Sequence, residues 1–426
     1  MFSRKLKMRL RFISLFFLLF LCLYLFRLTQ TPRYFIAEGK PVKIVGRVTN
    51  QPYFNDSYQI IKLGPVLILA QRFPGYFYGD KVEVFGKFQK EVINPFKSQY
   101  MSFFPTIRLL KEEESLISKT NFKKFLLKTR GQIEEKIKRL LPEPQSSLLL
   151  GVVLGVKTQM PEDFWQHLRK TGTLHLVVAS GQNVVMVVGF LMNISVWFLK
   201  RRWAILVAVL GIVVYVLMVG AEAPAVRAGL MATMIFIGQL LGREVNPGKF
   251  LCLTAMVMLL ICPLILFDIG FQLSFAATAG LLWLHPLLLT KLSALGKIPV
   301  LGEGLLVTLA AQLAALPILL VNFGQFSWLS PLVNALVLPL IPLLMVFGFI
   351  IAGLSFFSSF LAQLLSWFVW PFLSWFVKVV EFFGGLSWTN WEMGEISCWW
   401  AVLYYLILLI FLIKAGFKPN ERTGNS

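Results

Sequence analysis

The sequence predicts a polytopic α-helical membrane protein with a small extracytoplasmic all-β domain, OB-fold-like, near its N-terminus. Two compositional figures and one positional pattern carry this. Of 426 residues, 57% are hydrophobic and 15% charged, and the mean hydropathy is +0.71. A soluble domain has about 25% charged residues. No single water-facing core could hide so large an apolar fraction. The same figures exclude a disordered chain, a coiled coil and a disulfide scaffold. The charges are also unevenly placed. Residues 35–119 hold 12 basic and 8 acidic side chains, whereas all 281 residues after 145 hold only 15 and 10. One polar block therefore separates a first apolar segment from a long apolar region.

Residues 1–34 carry seven basic and no acidic side chains, five of them in Met1–Arg11 ahead of the apolar run 12–26. The flank LFRLTQTPRYF (25–35) lacks a small-x-small cleavage site. The expectation is an uncleaved signal-anchor helix with a cytoplasmic N-terminus; cleavage is the alternative. The four cysteines, Cys22, Cys252, Cys262 and Cys398, form no CxxC or Cys/His cluster and are expected to act as small packing groups.

In the block 35–119, KPVKIVGRVTN (40–50) and GDKVEVFGKF (79–88) alternate apolar and polar residues, as half-buried strands do. SYQIIKL (57–63), PVLILA (65–70) and MSFFPTIRLL (101–110) complete about five strands with Gly/Pro turns, the pattern of a small OB-like barrel. Such barrels bind single-stranded nucleic acid through cations and aromatic platforms. The candidate DNA contacts are Lys43, Arg47, Lys81 and Lys87, with Tyr53, Phe54, Tyr76, Phe77 and Tyr78 for stacking. A spacer with ordinary surface charge is the competing reading, because the block's net charge is only 12 minus 8, or +4. Residues 120–145 form an amphipathic linking helix. Its apolar positions Phe122, Phe125, Leu126, Ile133, Ile137 and Leu140 fit one face imperfectly.

Residues 146–415 read as a multi-pass transmembrane domain. Apolar spans are expected near 174–199, 203–219, 225–241, 250–266, 272–289, 304–321, 329–354, 357–383 and 398–413, ten with the anchor. Threading from an inside N-terminus puts Lys200–Arg202, Arg243, Lys249, Lys291, Lys297 and the basic tail 416–426 in the cytoplasm. Loops with Glu222, Asp268, Glu392 and Glu395 then fall outside, which is the positive-inside pattern of a cytoplasmic-membrane protein with both termini inside.

Polar side chains within such spans are costly and mark a pathway or a buried pair. Three clusters qualify. His175, Ser180, Gly181, Gln182 and Asn183 lie in the first, Glu222 and Arg227 in the second, and Asp268, Gln272 and Ser274 in the third. Gly or Pro adjoins each. Irregular backbone at membrane depth must be satisfied by protein or water, so the clusters predict broken helices around a hydrated cavity. The alternatives are local. His175 can bond a neighbouring helix, Glu222 and Arg227 can form an ion pair, and Asp268 can cap a helix. Gln312, Asn322 and Asn334 add polar groups later in the chain.

These stretches resemble the ComEC-type competence DNA-uptake channel family. The likeness is carried by GTLHLVVASGQNVVMVVG (172–189), PAVRAGLMA with GRE (224–244), CPLILFDIGFQLSFAATAGL (262–281) and QLAALPILLVNFGQFSWLSPLVNALVLPLIP (312–342). The resemblance implies a channel that passes single-stranded DNA across the cytoplasmic membrane during natural transformation. The ten polar-cluster residues would then lie on the DNA pathway. It further implies a separate DNA receptor, a cytoplasmic ATPase translocase and a separate nuclease as partners, with oligomerisation left open. Asn183 stands where family members often carry a second histidine. The metallo-β-lactamase-like nuclease domain of many members finds no counterpart, because His167, His175 and His285 lack HxHxDH spacing. A short, nuclease-free member is therefore expected, with no catalytic residue, metal or cofactor.

Passage of a polyanion needs a continuous wet route, because an unpaired buried ion costs tens of kcal/mol in the Born limit. The segment GVVLGVKT (151–158) places Val156 where a Walker A loop needs its second glycine, so the driving energy is expected from another protein. The competing functions are an intramembrane serine hydrolase using Ser180 and His175, and a secondary transporter of a small solute or lipid.

Overall fold

A chain that alternates apolar and polar residues can bury one face of each strand, and residues 41–109 do so. The structure, a computed structural model, describes residues 18–30, 39–49, 52–54, 58–64, 66–94, 97–110, 119–156, 160–178, 180–243, 245–292, 301–386, 390–392, 394 and 397–414. The basic flank of the anchor, most of the linker at 31–38, Glu244, Lys297, Glu395 and the tail 416–426 lie outside the described residues. The described residues divide into two compact units. One draws on Met1–Arg130 and Thr233–Phe271, the other on Gly131–Ala232 and Gln272–Ser426.

In the first unit, eight strands form two sheets: β1 (Pro41–Arg47), β2 (Tyr53–Phe54), β3 (Tyr58–Leu63), β4 (Val66–Gln71), β5 (Lys81–Lys87), β6 (Gln89–Asn94), β7 (Lys97–Phe103) and β8 (Thr106–Leu109). The three-stranded sheet runs β1-β5-β8 and the five-stranded sheet β2-β3-β4-β7-β6, with β4 and β7 parallel. Their inner faces share a core that includes Val48, Ile61, Ile68, Val82, Val84 and Phe88. Gln59, fully buried, donates through Nε2 to the carbonyls of Gln71 (2.7 Å) and Pro74 (2.6 Å) and accepts from the Tyr76 amide (3.2 Å). One side chain thus fixes the loop between β4 and β5.

The single strand expected over 101–110 is two. Phe104 has φ 48° and Pro105 has no N–H to donate, so pairing stops there, and the chain passes from one sheet to the other. Gly86 accommodates the corner: a Cβ there would sit 2.7 Å from Pro105 Cβ.

Among the described residues, seven helical segments are long and apolar enough to cross a membrane. They are Leu174–Phe198, Arg201–Val219, Ala223–Leu240, Ile269–Lys291, Gly302–Phe323, Leu340–Phe357 and Ser359–Gly384. Three of the ten expected spans appear as shorter apolar helices, Leu18–Thr29, Pro247–Ile261 and Cys398–Lys414. Pro263 explains one of these: a residue before proline is pushed out of the helical region, and Cys262 is extended (φ −134°, ψ 86°). The expected span 329–354 is also interrupted, as Ser330–Val337 and Leu340–Phe357, where Pro339 cannot continue the backbone ladder.

The second unit is centred on the helix Gln145–Leu154, buried from Ser146 to Leu154. Gly348 lets Leu340–Phe357 close on it, since a Cβ at Gly348 would lie 2.4 Å from Val153 Cγ2. In the amphipathic helix Lys119–Leu140, Leu126, Leu127, Ile133 and Ile137 are buried, while Phe122 and Phe125 are exposed. The four cysteines are free and exposed on their helices, not packed inside as expected.

Candidate functional site

The polar clusters fall at helix breaks, and the punctuating residues explain why. Gly172 (φ 69°) turns the chain after Glu162–Lys170, and His175 sits on the four-residue helix Leu174–Val177. Its Nδ1 lies 2.8 Å from the Gly172 carbonyl. A carbonyl only accepts, so Nδ1 carries a proton. Val178 (ψ 153°) and Ser180 (ψ 160°) are extended. The helix Gly181–Phe198 then starts with Ser180 as its cap, whose Oγ accepts from the Asn183 amide at 3.3 Å.

Asn183 is almost wholly buried, and both ends of its side chain are engaged. Oδ1 accepts from Ser180 Oγ at 2.9 Å, and Nδ2 donates to the Val152 carbonyl at 3.0 Å. Val152 lies in the last turn of Gln145–Leu154, where carbonyls have no intrahelical partner. Tyr215 Oη donates to the next carbonyl, Val153, at 3.2 Å. Gln182 is exposed. Ser180 Oγ donates to the Asn183 amide oxygen and not to His175, so the described contacts do not pair the serine with the imidazole base that the hydrolase reading requires.

At the second break, Gly220 (φ 103°) and Ala221 (φ 54°) precede the helix Ala223–Leu240, with Glu222 half-buried between them. Arg227 Nη1 donates to the Ser274 carbonyl at 2.7 Å. Nη2 lies over Gly181, where a Cβ would sit 2.3 Å away. Nε is buried with no hydrogen-bond partner among the described residues. Arg227, Gly181, Ser180, Asn183 and Ser274 therefore converge, with the guanidinium at the first turn of Gly181–Phe198. Gln272 lies half-buried two residues before Ser274, in the helix Ile269–Ala279. Asp268 caps that helix, accepting from the Phe271 amide at 3.0 Å, as its local alternative foresaw.

In the β domain, Lys43 and Arg47 on β1 and Lys81 and Lys87 on β5 occupy outward positions of one sheet face. Lys43 is opposite Phe85 and Arg47 opposite Lys81. Phe85 is exposed, and Lys43 pairs with Glu83. Tyr76 is buried, Phe77 is exposed, and the Lys123 ammonium lies 4.4 Å above the Tyr78 ring. The side chains of Tyr53 and Phe54 lie outside the described residues. No group of three His, Cys, Asp or Glu among the described residues is placed to hold a metal ion.

Sequence reasoning missed Tyr215 and the carbonyls of Val152 and Ser274. A hydroxyl within AILVAVLGIVVYVLMVG was the one available signal.

Fold and site together define a multi-pass helical membrane protein with a half-buried cation at a helix break and a small β domain. The chain belongs to the Competence protein family, whose model matches residues 152–418. It is 31% identical over 252 residues to ComE operon protein 3 of Bacillus subtilis (strain 168), covering 58% of this chain and 32% of that protein. It is 28% identical over 205 residues to Competence protein ComA of Neisseria gonorrhoeae, covering 45% of this chain and 28% of that one. The matched region thus spans a third or less of these relatives' length. No solved structure matches.

Proposed function

We propose that this chain forms the membrane route for single-stranded DNA across the cytoplasmic membrane during natural transformation, as a channel without chemistry of its own. The observation that carries the reading is the Arg227 guanidinium at the first turn of Gly181–Phe198. A helix start carries partial positive charge. A guanidinium beside it is electrostatically unfavourable alone and attractive to a passing phosphate, and the unpartnered Nε–H adds a donor. Ser180, Gln182, Glu222, Asp268, Gln272 and His175 line the hydrated breaks in this reading, and Asn183 positions Ser180. One such cation attracts the strand, whereas many would trap it. The net charge of +20 favours recruitment of a polyanion.

In the accompanying topology both termini are cytoplasmic and the β domain is extracytoplasmic. Its outward face, with Lys43, Arg47, Lys81, Lys87 and Phe85, receives the strand. A separate DNA receptor, a cytoplasmic ATPase translocase and a nuclease complete the pathway. The test is uptake of labelled DNA into the cytoplasm of cells lacking the gene, restored by the wild-type chain and not by Arg227→Ala at equal abundance. Full restoration by Arg227→Ala overturns the site.

A further inference from the structure

A second polar cluster uses none of the residues assigned to the DNA route, although it borders the Gly172 turn that holds His175. Leu301–Phe323 is followed by the strand Gln325–Ser327 and the helix Ser330–Val337. Ser327, Ser330 and Asn334 are 8%, 5% and 0% exposed. Gln312 Nε2 donates to the Ser327 carbonyl at 3.0 Å; because that carbonyl only accepts, the amide orientation is fixed. Asn334 Nδ2 donates to Ser330 Oγ at 3.2 Å. Both serines border the Gly172 turn, where a Cβ would lie 2.7 Å from Ser330 Oγ and 3.5 Å from Ser327 Cβ. Three segments therefore meet here.

Gln312 Oε1, Ser327 Oγ and Asn334 Oδ1 are buried with no hydrogen-bond partner among the described residues. Leaving a buried acceptor unsatisfied is unfavourable, so three such oxygens on segments that meet here call for an electropositive occupant. The groups are neutral hard oxygens. Protein sites for calcium and magnesium are usually built around carboxylates, which none of these three residues supplies, and zinc, copper and iron favour nitrogen or sulfur. Neutral oxygens beside interrupted helices are suited to a monovalent cation.

We propose that Gln312, Ser327 and Asn334 form a binding site for a monovalent alkali cation within the helical unit. The test is thermal unfolding of the full chain in detergent, without DNA, in sodium, potassium or choline chloride at equal ionic strength. Sodium or potassium raises the midpoint above that in choline by roughly 2–4 °C. Ser327→Ala, which removes one oxygen and little volume, abolishes that difference, and Asn334→Ala does the same. Equal wild-type midpoints in the three salts overturn the proposal and leave water as the occupant. A Ser327→Ala chain that keeps the full difference overturns it too. Because no DNA is present, the outcome is independent of the proposed transport function.

Discussion

Arg227 reaches Gly181 so closely that its Nη2 occupies the space a side chain would need: a Cβ at Gly181 would lie 2.3 Å from it. Gly181→Ala must therefore displace the guanidinium, although alanine suits the first turn of a helix better than glycine. The expected outcome is a normally abundant chain with DNA uptake lowered roughly 10- to 100-fold, the worth of one charge-assisted contact. Arg227→Lys is expected to recover only part of the loss. A single ammonium cannot serve the Ser274 carbonyl and face Gly181 as a planar fork does. Counting transformants beside immunoblots of each variant checks both.

Asn183 tests a different role. Its amide joins Ser180 Oγ to the Val152 carbonyl, so Asn183→Leu leaves the buried Val152 carbonyl without its donor and the Ser180 hydroxyl proton without its acceptor. The expected loss is about 1–3 kcal/mol of stability, read as a lowered unfolding midpoint in detergent. Asn183→Leu with an unchanged midpoint would remove the amide from the architecture of the break.

Much of the site was legible because helix breaks are written locally. Gly220, Pro263 and the Ser180–Gly181 pair each act on their own backbone, and the three polar clusters sit at those punctuations. The partners were not legible. Val152 and Ser274 contribute backbone carbonyls, which every residue has, so no side chain marks them. The strand over 101–110 was misjudged for a related reason: Pro105 signalled a break, but only the pairing of Phe103 with Leu69 and of Thr106 with Phe85 shows the two halves in different sheets. The anchor's basic flank and the basic tail, which carry part of the topology argument, lie outside the described residues.

Tyr404 offers a test of helix repair. Pro317 has no N–H for the Leu313 carbonyl four residues earlier, and Tyr404 Oη donates to that carbonyl at 2.9 Å. Tyr404→Phe is expected to cost about 0.5–1.5 kcal/mol. In a Pro317→Ala background, where the backbone supplies the missing donor, the same change is expected to cost clearly less. A double-mutant cycle on unfolding midpoints measures the coupling, and additive effects would refute it.

The outward face of β1 and β5 yields the last prediction. Single-strand affinity falls with salt at a slope of about 0.7 per phosphate neutralised. If this face receives DNA, Lys87→Gln lowers the slope of the full chain by about that amount. Lys43→Gln lowers it less, because the Lys43 ammonium is already paired with Glu83. Phe85→Ala lowers affinity at every salt concentration without changing the slope, since stacking on an exposed ring releases no counterions. A spacer domain gives a different result: none of these substitutions then moves either quantity. The contrast between Lys43 and Lys87 separates specific contact from diffuse attraction. A general cationic field would respond alike to the loss of either charge.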